Sequence, residues 1–286
     1  MSVAIWSDGR LVDPSEPLVV GVDHGLTVGD GVFETCAVEQ GTAFALTRHL
    51  RRLERSARGI GLAAPDEQAL REGVAAVLAA APDAGRVRIT VTGGPGPLGS
   101  DRFDPAQQRH TLVVLAGPAT RSPTSRVVRV PWVRNERSSV AGLKTTSYAE
   151  NVVALAEARR RGADEAVLAN TVGHLCEGTA SNAFVERGGE LLTPPLSSGC
   201  LAGITRELAL EWGAAAGLPV REAAEGELRY EVLDDVLAGS AHLTMTGSIR
   251  NVSPVVRLDE QDVAPGELSV QLRELFQARL ADDIDP

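Results

Sequence analysis

"CEGTASNAFVERGGELLTPPLSSGCLAGITRELALEW", residues 176–212, holds a carboxylate at Glu177, then Asn182 at the start of a strand. A short hairpin follows, then Thr193-Pro194-Pro195, and Gly203-Ile204-Thr205 opens a helix. A helix that starts with Gly and Thr is an anion site, because free backbone amides and a hydroxyl converge on one phosphate. By itself "GIT" reads equally well as an ordinary N-cap. What adds weight is "VAGLKTTSYAEN", residues 140–151. Of the 28 Lys and Arg residues only Lys144 is lysine. Arginine does not lose its proton in proteins, whereas a lysine amine can be freed by its surroundings and attack a carbonyl. An amine for an aldehyde, an anion for a pyridine nitrogen and a phosphate cup are the parts that pyridoxal 5'-phosphate demands.

The remaining chemistry-bearing residues do not form a competing site. Three cysteines (Cys36, Cys176, Cys200) show no CxxC, and five histidines (His24, His49, His110, His174, His242) stand singly, so no metal spacing exists. The loop "GGPGPLG" contains G-x-G-x-x-G at Gly94, Gly96 and Gly99, but Pro95 and Pro97 separate the glycines and no helix start follows. A dinucleotide site needs that helix, so the stretch reads as a loop.

Length and charge narrow the class. With 286 residues, 43% hydrophobic and 23% charged, the chain has the composition of a globular enzyme of one large or two smaller domains. A net charge of −10 argues against nucleic-acid binding. The basic run Arg48–Arg58 has helical spacing and reads as an amphipathic helix. The absence of a long apolar run and of a signal-peptide pattern, with few cysteines, leads to the expectation of a cytoplasmic protein without membrane spans.

Along the chain, strands are expected at Val3–Ser7, Leu18–Val22, Val32–Val38, Arg86–Thr92 and Thr111–Ala116. Two helices fall among them: "TRHLRRLERSARGIGL", with Thr47 as N-cap, and "DEQALREGVAAVLAAAP" between Pro65 and Pro82. "GPATRSPTS" reads as a linker. The second half offers a helix from Tyr148 to Arg161 ended by Gly162, and strands at Glu165–Ala169, Asn182–Glu186 and Glu190–Leu192. A helix near Thr205, strands at Ala241–Met245 and Pro254–Arg257, and a C-terminal helix complete it. The pattern predicts two α+β domains and no βαβ series: residues 1–116, a linker at 117–126, and residues 127–286 carrying Lys144.

Over nearly its whole length the sequence resembles the class IV aminotransferases, the pyridoxal-phosphate fold type IV family of D-amino acid aminotransferase-like proteins. That family includes branched-chain and D-amino acid transaminases and 4-amino-4-deoxychorismate lyase. The resemblance rests on "DHGLTVGDGVFET" (23–35), "HLRRL" (49–53), Lys144, the 176–206 stretch and "GSIRNVSPV" (247–255). It implies that Lys144 binds the cofactor covalently and shuttles the substrate proton, and that Glu177 faces the pyridine nitrogen. Ile204 and Thr205, after Gly203, and Ser248, after Gly247, would form the phosphate cup, with Arg52 neutralising it. Tyr148 would face the ring's phenolate oxygen. A homodimer is implied, with the "GGPGPLGSDR" loop near a neighbouring active site, and an amino donor and a keto-acid acceptor as small-molecule partners.

The branch stays open. Lys144 to "EAR" at Glu157 is spaced as in the D-amino acid transaminase and lyase branches. Gly93 stands where D-amino acid transaminases carry a carboxylate-gripping arginine, and Phe33 replaces their tyrosine. Arg250, Arg88 and Arg102 are the alternative candidates for the substrate carboxylate. The expected activity is a transaminase acting on D-amino acids or (R)-amines. The alternatives are pyruvate elimination by the lyase, and a non-enzymatic cofactor-binding protein.

Overall fold

The computed structural model describes residues 3–103 and 108–286. Its contacts divide the chain into two units: Met1–Thr120 with Leu143–Tyr148 and Asp283–Pro286, and Arg121–Gly142 with Ala149–Asp282.

The first unit holds β1 (Ala4–Ser7), β2 (Arg10–Val12), α1 (His24–Thr27), β3 (Gly31–Glu39), β4 (Thr42–Ala43), α2 (Leu46–Gly59), α3 (Glu67–Ala80), β5 (Arg86–Thr92) and β6 (Thr111–Gly117). Its sheet runs β2-β1-β6-β5-β3-β4 and is antiparallel throughout. Strand alternation sorts the side chains. Val87, Ile89 and Val91 go to the face covered by the helices and are fully buried, while Arg88 and Thr90 go to the other. Leu50, Leu53, Leu70 and Val74 from α2 and α3 pack against that first face.

Two local expectations fail here. Leu18–Val22 pairs with no strand among the described residues; it is a loop in which Val19, Val20 and Val22 stay exposed. Pro14 and Pro17, just upstream, each lack the N–H that a ladder needs. Thr47 is not the cap of α2. The helix begins at Leu46, behind Ala45 at φ 53° and two residues earlier than that cap implies, and Thr47 N and Oγ1 donate to Asp285 at 2.8 and 2.6 Å. The missing cap is thus supplied by Asp285, 238 positions downstream.

The division differs from a cut at 117–126 in two respects: Leu143–Tyr148, with Lys144, and Asp283–Pro286 group with the first unit. Backbone hydrogen bonds explain the first. Phe33 N donates to Lys144 O at 3.0 Å, Thr146 N donates to Gly31 O at 2.8 Å, and Val32 bridges Thr145. The segment lines the edge of β3 that β4 leaves unpaired.

The second unit holds β7 (Ser125–Arg134), α4 (Ala149–Arg160), β8 (Glu165–Asn170), β9 (Leu175–Gly178), β10 (Asn182–Arg187), β11 (Glu190–Thr193), α5 (Ile204–Ala215), β12 (Val220–Glu222), α6 (Val232–Ala238), β13 (His242–Gly247), β14 (Asn251–Leu258), β15 (Gln261–Asp262) and α7 (Glu267–Asp282). Strands β10-β13-β14-β7-β8-β9 form a ring, closed where Glu177 on β9 pairs with Asn182 on β10. The β10–β11 hairpin turns on Gly188 and Gly189, whose φ of +58° and +79° suit a two-residue primed turn. Most pairs are antiparallel; β7 and β8 are parallel, joined by the connection that contains Lys144 and α4. Val127, Val167, Val185, Leu243 and Met245 form the core, with Leu233 of α6 against them. Among the described residues no helix is long and apolar enough to cross a membrane.

Candidate active site

In the first unit, pleating puts Lys144 on the face of β3 that carries Phe33, since Val32 and Thr145 are paired and buried on the other. Lys144 Nζ stands 4.3 Å from the Phe33 ring centroid and donates to Tyr148 Oη at 3.3 Å. Tyr148 meets Phe33 edge-on, with centroids 4.9 Å apart at 80°. The backbone of the lysine is fixed too: its N donates to Ser56 Oγ of α2 at 3.1 Å. Arg88 Cζ lies 3.7 Å from the same centroid.

On the helix-covered face, Glu34 of β3 is completely buried between α2 residues. Arg52 Nε and Nη2 each donate to it at 2.7 Å, and His49 Nδ1 donates at 2.7 Å. Burial alone would raise the Glu34 carboxyl, but Arg52 and then His49 outweigh it and hold the group far below the usual carboxylate range. His49 is shifted down, chiefly by burial, with Glu34 pulling the other way. Glu34 lies in "DHGLTVGDGVFET" and His49 in "HLRRL", but the pairing of β3 with α2 that joins them is invisible in local spacing.

In the second unit, Glu177 accepts from Arg134 Nε at 3.1 Å and from Leu201 N at 2.9 Å. Arg134, at the end of β7, also donates to Asn151 Oδ1 at 3.2 Å. No motif marked it, because it meets Glu177 only through the ring of strands. Asn182 Nδ2 donates to Leu201 O at 2.8 Å, and its Oδ1 lies where a Cβ on Gly203 would be 1.9 Å away. So the loop before α5 is held at Leu201 from both sides, and Gly203 has to be glycine for steric reasons.

Helix α5 starts at Ile204 and Thr205, both buried, and Gly203 gives it no side-chain cap. Its first amides therefore lack the partner that a Ser or Asp would bring. Thr246 Oγ1, fully buried at the end of β13, makes no hydrogen bond. Thr246 pairs with Asn182 and shares its face of the sheet. Gly247 and Ser248 follow it in the turn to β14. Within the second unit a carboxylate, an uncapped helix start and an orphaned hydroxyl are groups that fit the ring nitrogen and phosphate of pyridoxal 5'-phosphate. Among the described residues no group of His, Cys, Asp or Glu could hold a metal ion.

Two of the three arginines considered for a substrate carboxylate are committed elsewhere. Arg250 Nη2 donates to Glu165 Oε2 at 2.7 Å and its Nη1 to Ser125 Oγ at 2.6 Å. Glu165 is buried and also takes Thr179, Ala180 and Ser181, so Arg250 balances its charge. Arg102 grips both oxygens of Asp30 and donates to Ile60 O at 2.8 Å. These contacts pin the loop after β5 to the approach to β3. Arg52, expected at a phosphate, directs two nitrogens to Glu34.

Residues 31–258 match the family amino-transferase class IV. The chain is 30% identical to a bifunctional aminodeoxychorismate lyase / D-amino acid transaminase of Mycobacterium tuberculosis, covering 75% of this chain and 79% of that one. A branched-chain aminotransferase of Thermoproteus uzoniensis, solved with norvaline, superposes with a TM-score of 0.81 at 28% identity, covering 96% and 93% of the two chains. A hypothetical aminotransferase from Mycobacterium tuberculosis in its PLP-bound form gives 0.83 at 26% identity, covering 99% and 100%. The mixed helix-and-sheet fold is that of the fold type IV aminotransferases. The chain belongs to the class IV aminotransferases, a family of pyridoxal-phosphate enzymes.

Proposed function

We propose that this protein is a transaminase that moves an amino group between an amino acid, of D configuration, or an (R)-amine, and a 2-keto acid. The observation that carries the reading is the chain's single lysine, with its amine held by Tyr148 Oη at 3.3 Å beside Phe33. Bound pyridoxal 5'-phosphate supplies an electron sink for a carbanion next to the transferred nitrogen. Lys144 attaches the cofactor and then holds or delivers the substrate proton at Nζ. Tyr148 orients that amine through its hydroxyl. Phe33 keeps water from the amine's apolar side. Glu177 keeps a proton on the ring nitrogen, and Arg134 keeps Glu177 in place. The first amides of α5 at Ile204 and Thr205, with Gly203 leaving room, bind the phosphate together with Ser248 after Gly247; Arg52 adds positive charge.

A second reading is favoured by the bifunctional relative: elimination of pyruvate from aminodeoxychorismate on the same lysine. Purified protein incubated with D-alanine and 2-oxoglutarate, and separately with aminodeoxychorismate, decides between the two. The protein is expected to be yellow, with absorbance that moves on adding an amine donor, and Lys144→Ala to be colourless, since no other lysine can substitute. A colourless, inactive wild type supplied with cofactor overturns both readings. A homodimer belongs to the proposal; Val20, Leu26 and Leu98 are 55%, 66% and 84% exposed, apolar surface that suits a second copy. Sedimentation equilibrium showing an active monomer contradicts it.

A further inference from the structure

Arg88 stands apart from five other arginines that are wholly or partly withdrawn from solvent. Arg52, Arg102, Arg134, Arg206 and Arg250 each hold a carboxylate: Glu34, Asp30, Glu177, Glu222 and Glu165. Among the described residues the Arg88 guanidinium makes no hydrogen bond or ion pair; its contact is the Phe33 ring, 3.7 Å away. An aromatic face attracts a cation, but it leaves five N–H donors unmet. Burial pushes the guanidinium below the ordinary arginine value, with Tyr148 and Glu34 opposing. Such a group is prepared for an anion.

Its position follows from the strands. Arg88 is paired with Thr35, and Thr90 with Phe33, so Arg88 shares the face of Phe33 and Lys144. Lys144 Nζ and Arg88 Cζ lie 4.3 and 3.7 Å from one ring centroid, so their separation cannot exceed the two lengths end to end. A carboxylate on the carbon that carries the transferred nitrogen spans that gap with one charge-assisted hydrogen bond. The end of β5 offers no substitute. Gly93 has no side chain, and a Cβ there would be 2.6 Å from Asp30 Oδ2, which Arg102 already holds.

We propose that Arg88 binds the α-carboxylate of the amino and keto acids, and so makes α-amino acids, rather than neutral amines, the preferred donors of this site. The inference rests on the transaminase reading, and its test separates the two. The cofactor-loaded wild type and its Arg88→Gln and Arg88→Lys variants are titrated by calorimetry with propionate, a non-reacting carboxylate, and their visible spectra recorded. Stopped-flow half-reactions with D-alanine and with (R)-1-phenylethylamine follow. Arg88→Gln is expected to keep the yellow colour and weaken propionate binding at least tenfold. Its rate constant at low D-alanine falls at least tenfold relative to the amine, and Arg88→Lys recovers part of both. Equal losses for both donors with a lowered melting temperature, or unchanged propionate binding in Arg88→Gln, overturn the inference while the yellow colour leaves the cofactor reading standing. A colourless wild type removes that reading itself.

Discussion

Arg250 and Glu165 face each other at 2.7 Å inside the second unit, an arginine from the turn after β13 neutralising a carboxylate at the start of β8. The Glu165 side chain is 1% exposed, so it cannot turn to water if its partner is lost. Arg250→Ala should cost about 3–5 kcal/mol, as breaking one side of a buried pair does. Urea denaturation of the single variants and of Arg250→Met/Glu165→Leu checks this, with the double variant expected to recover most of the loss. A variant with wild-type stability and a raised Michaelis constant for keto acids would instead place Arg250 at the substrate.

Glu177→Gln tests the ring-nitrogen role. The amide still accepts from Leu201 N, so the loop before α5 keeps its tie and cofactor retention should change little. A neutral amide cannot hold the pyridinium proton, and turnover is expected to drop on the order of 10²-fold or more. Steady-state rates beside the visible spectrum give the answer; activity within a few-fold of wild type removes Glu177 from that role.

Much of this site could be read from the order of residues, and the unread part has a common cause. Lys144 stood out by being the only lysine, Glu177 and Gly203-Ile204-Thr205 by lying on one continuous stretch, and Arg86–Thr92 by its alternation. Arg134 on Glu177, Glu34 between Arg52 and His49, and Arg250 on Glu165 join residues from separate strands or helices. Such pairs depend on register and on which face a residue takes, and a single sequence fixes neither for distant strands. Leu18–Val22 shows the converse: a run with three valines stays a loop when no edge receives it.

Gly203→Ala should be far more damaging than an ordinary helix-start substitution. The new Cβ would fall 1.9 Å from Asn182 Oδ1, and moving Asn182 releases its bond to Leu201 O. A stability loss of about 1–3 kcal/mol is expected from the overpacking. Cofactor affinity, measured by equilibrium dialysis, should fall with it. Gly203→Ala in an Asn182→Gly background should regain part of both.

Acid should weaken the first unit in two stages. His49 titrates lower when folded than when unfolded, so below about pH 6.5 the unfolded chain takes the extra proton and stability falls. Glu34 is held down in the same direction; its contribution is complete above about pH 4.5 and is lost as pH drops toward the depressed folded value. Both groups thus make stability rise with pH. Urea midpoints between pH 3 and pH 8 should show both limbs (estimates from ordinary side-chain values). His49→Asn should flatten the upper limb only, and a wild-type profile level from pH 8 to pH 4 would contradict the assignment.

The cap on α2 has a consequence for synthesis. Thr47 is satisfied by Asp285, and the edge of β3 by residues 144–146, so the first unit is not complete when its first 120 residues have been made. A nascent chain emerges N-terminus first. Its early sheet must wait with one edge open for Lys144, and its helix α2 with an unmet start until Asp285 has emerged. Final locking of this unit therefore waits for a residue 238 positions beyond Thr47, and a truncation that removes Asp285 unpins the start of α2.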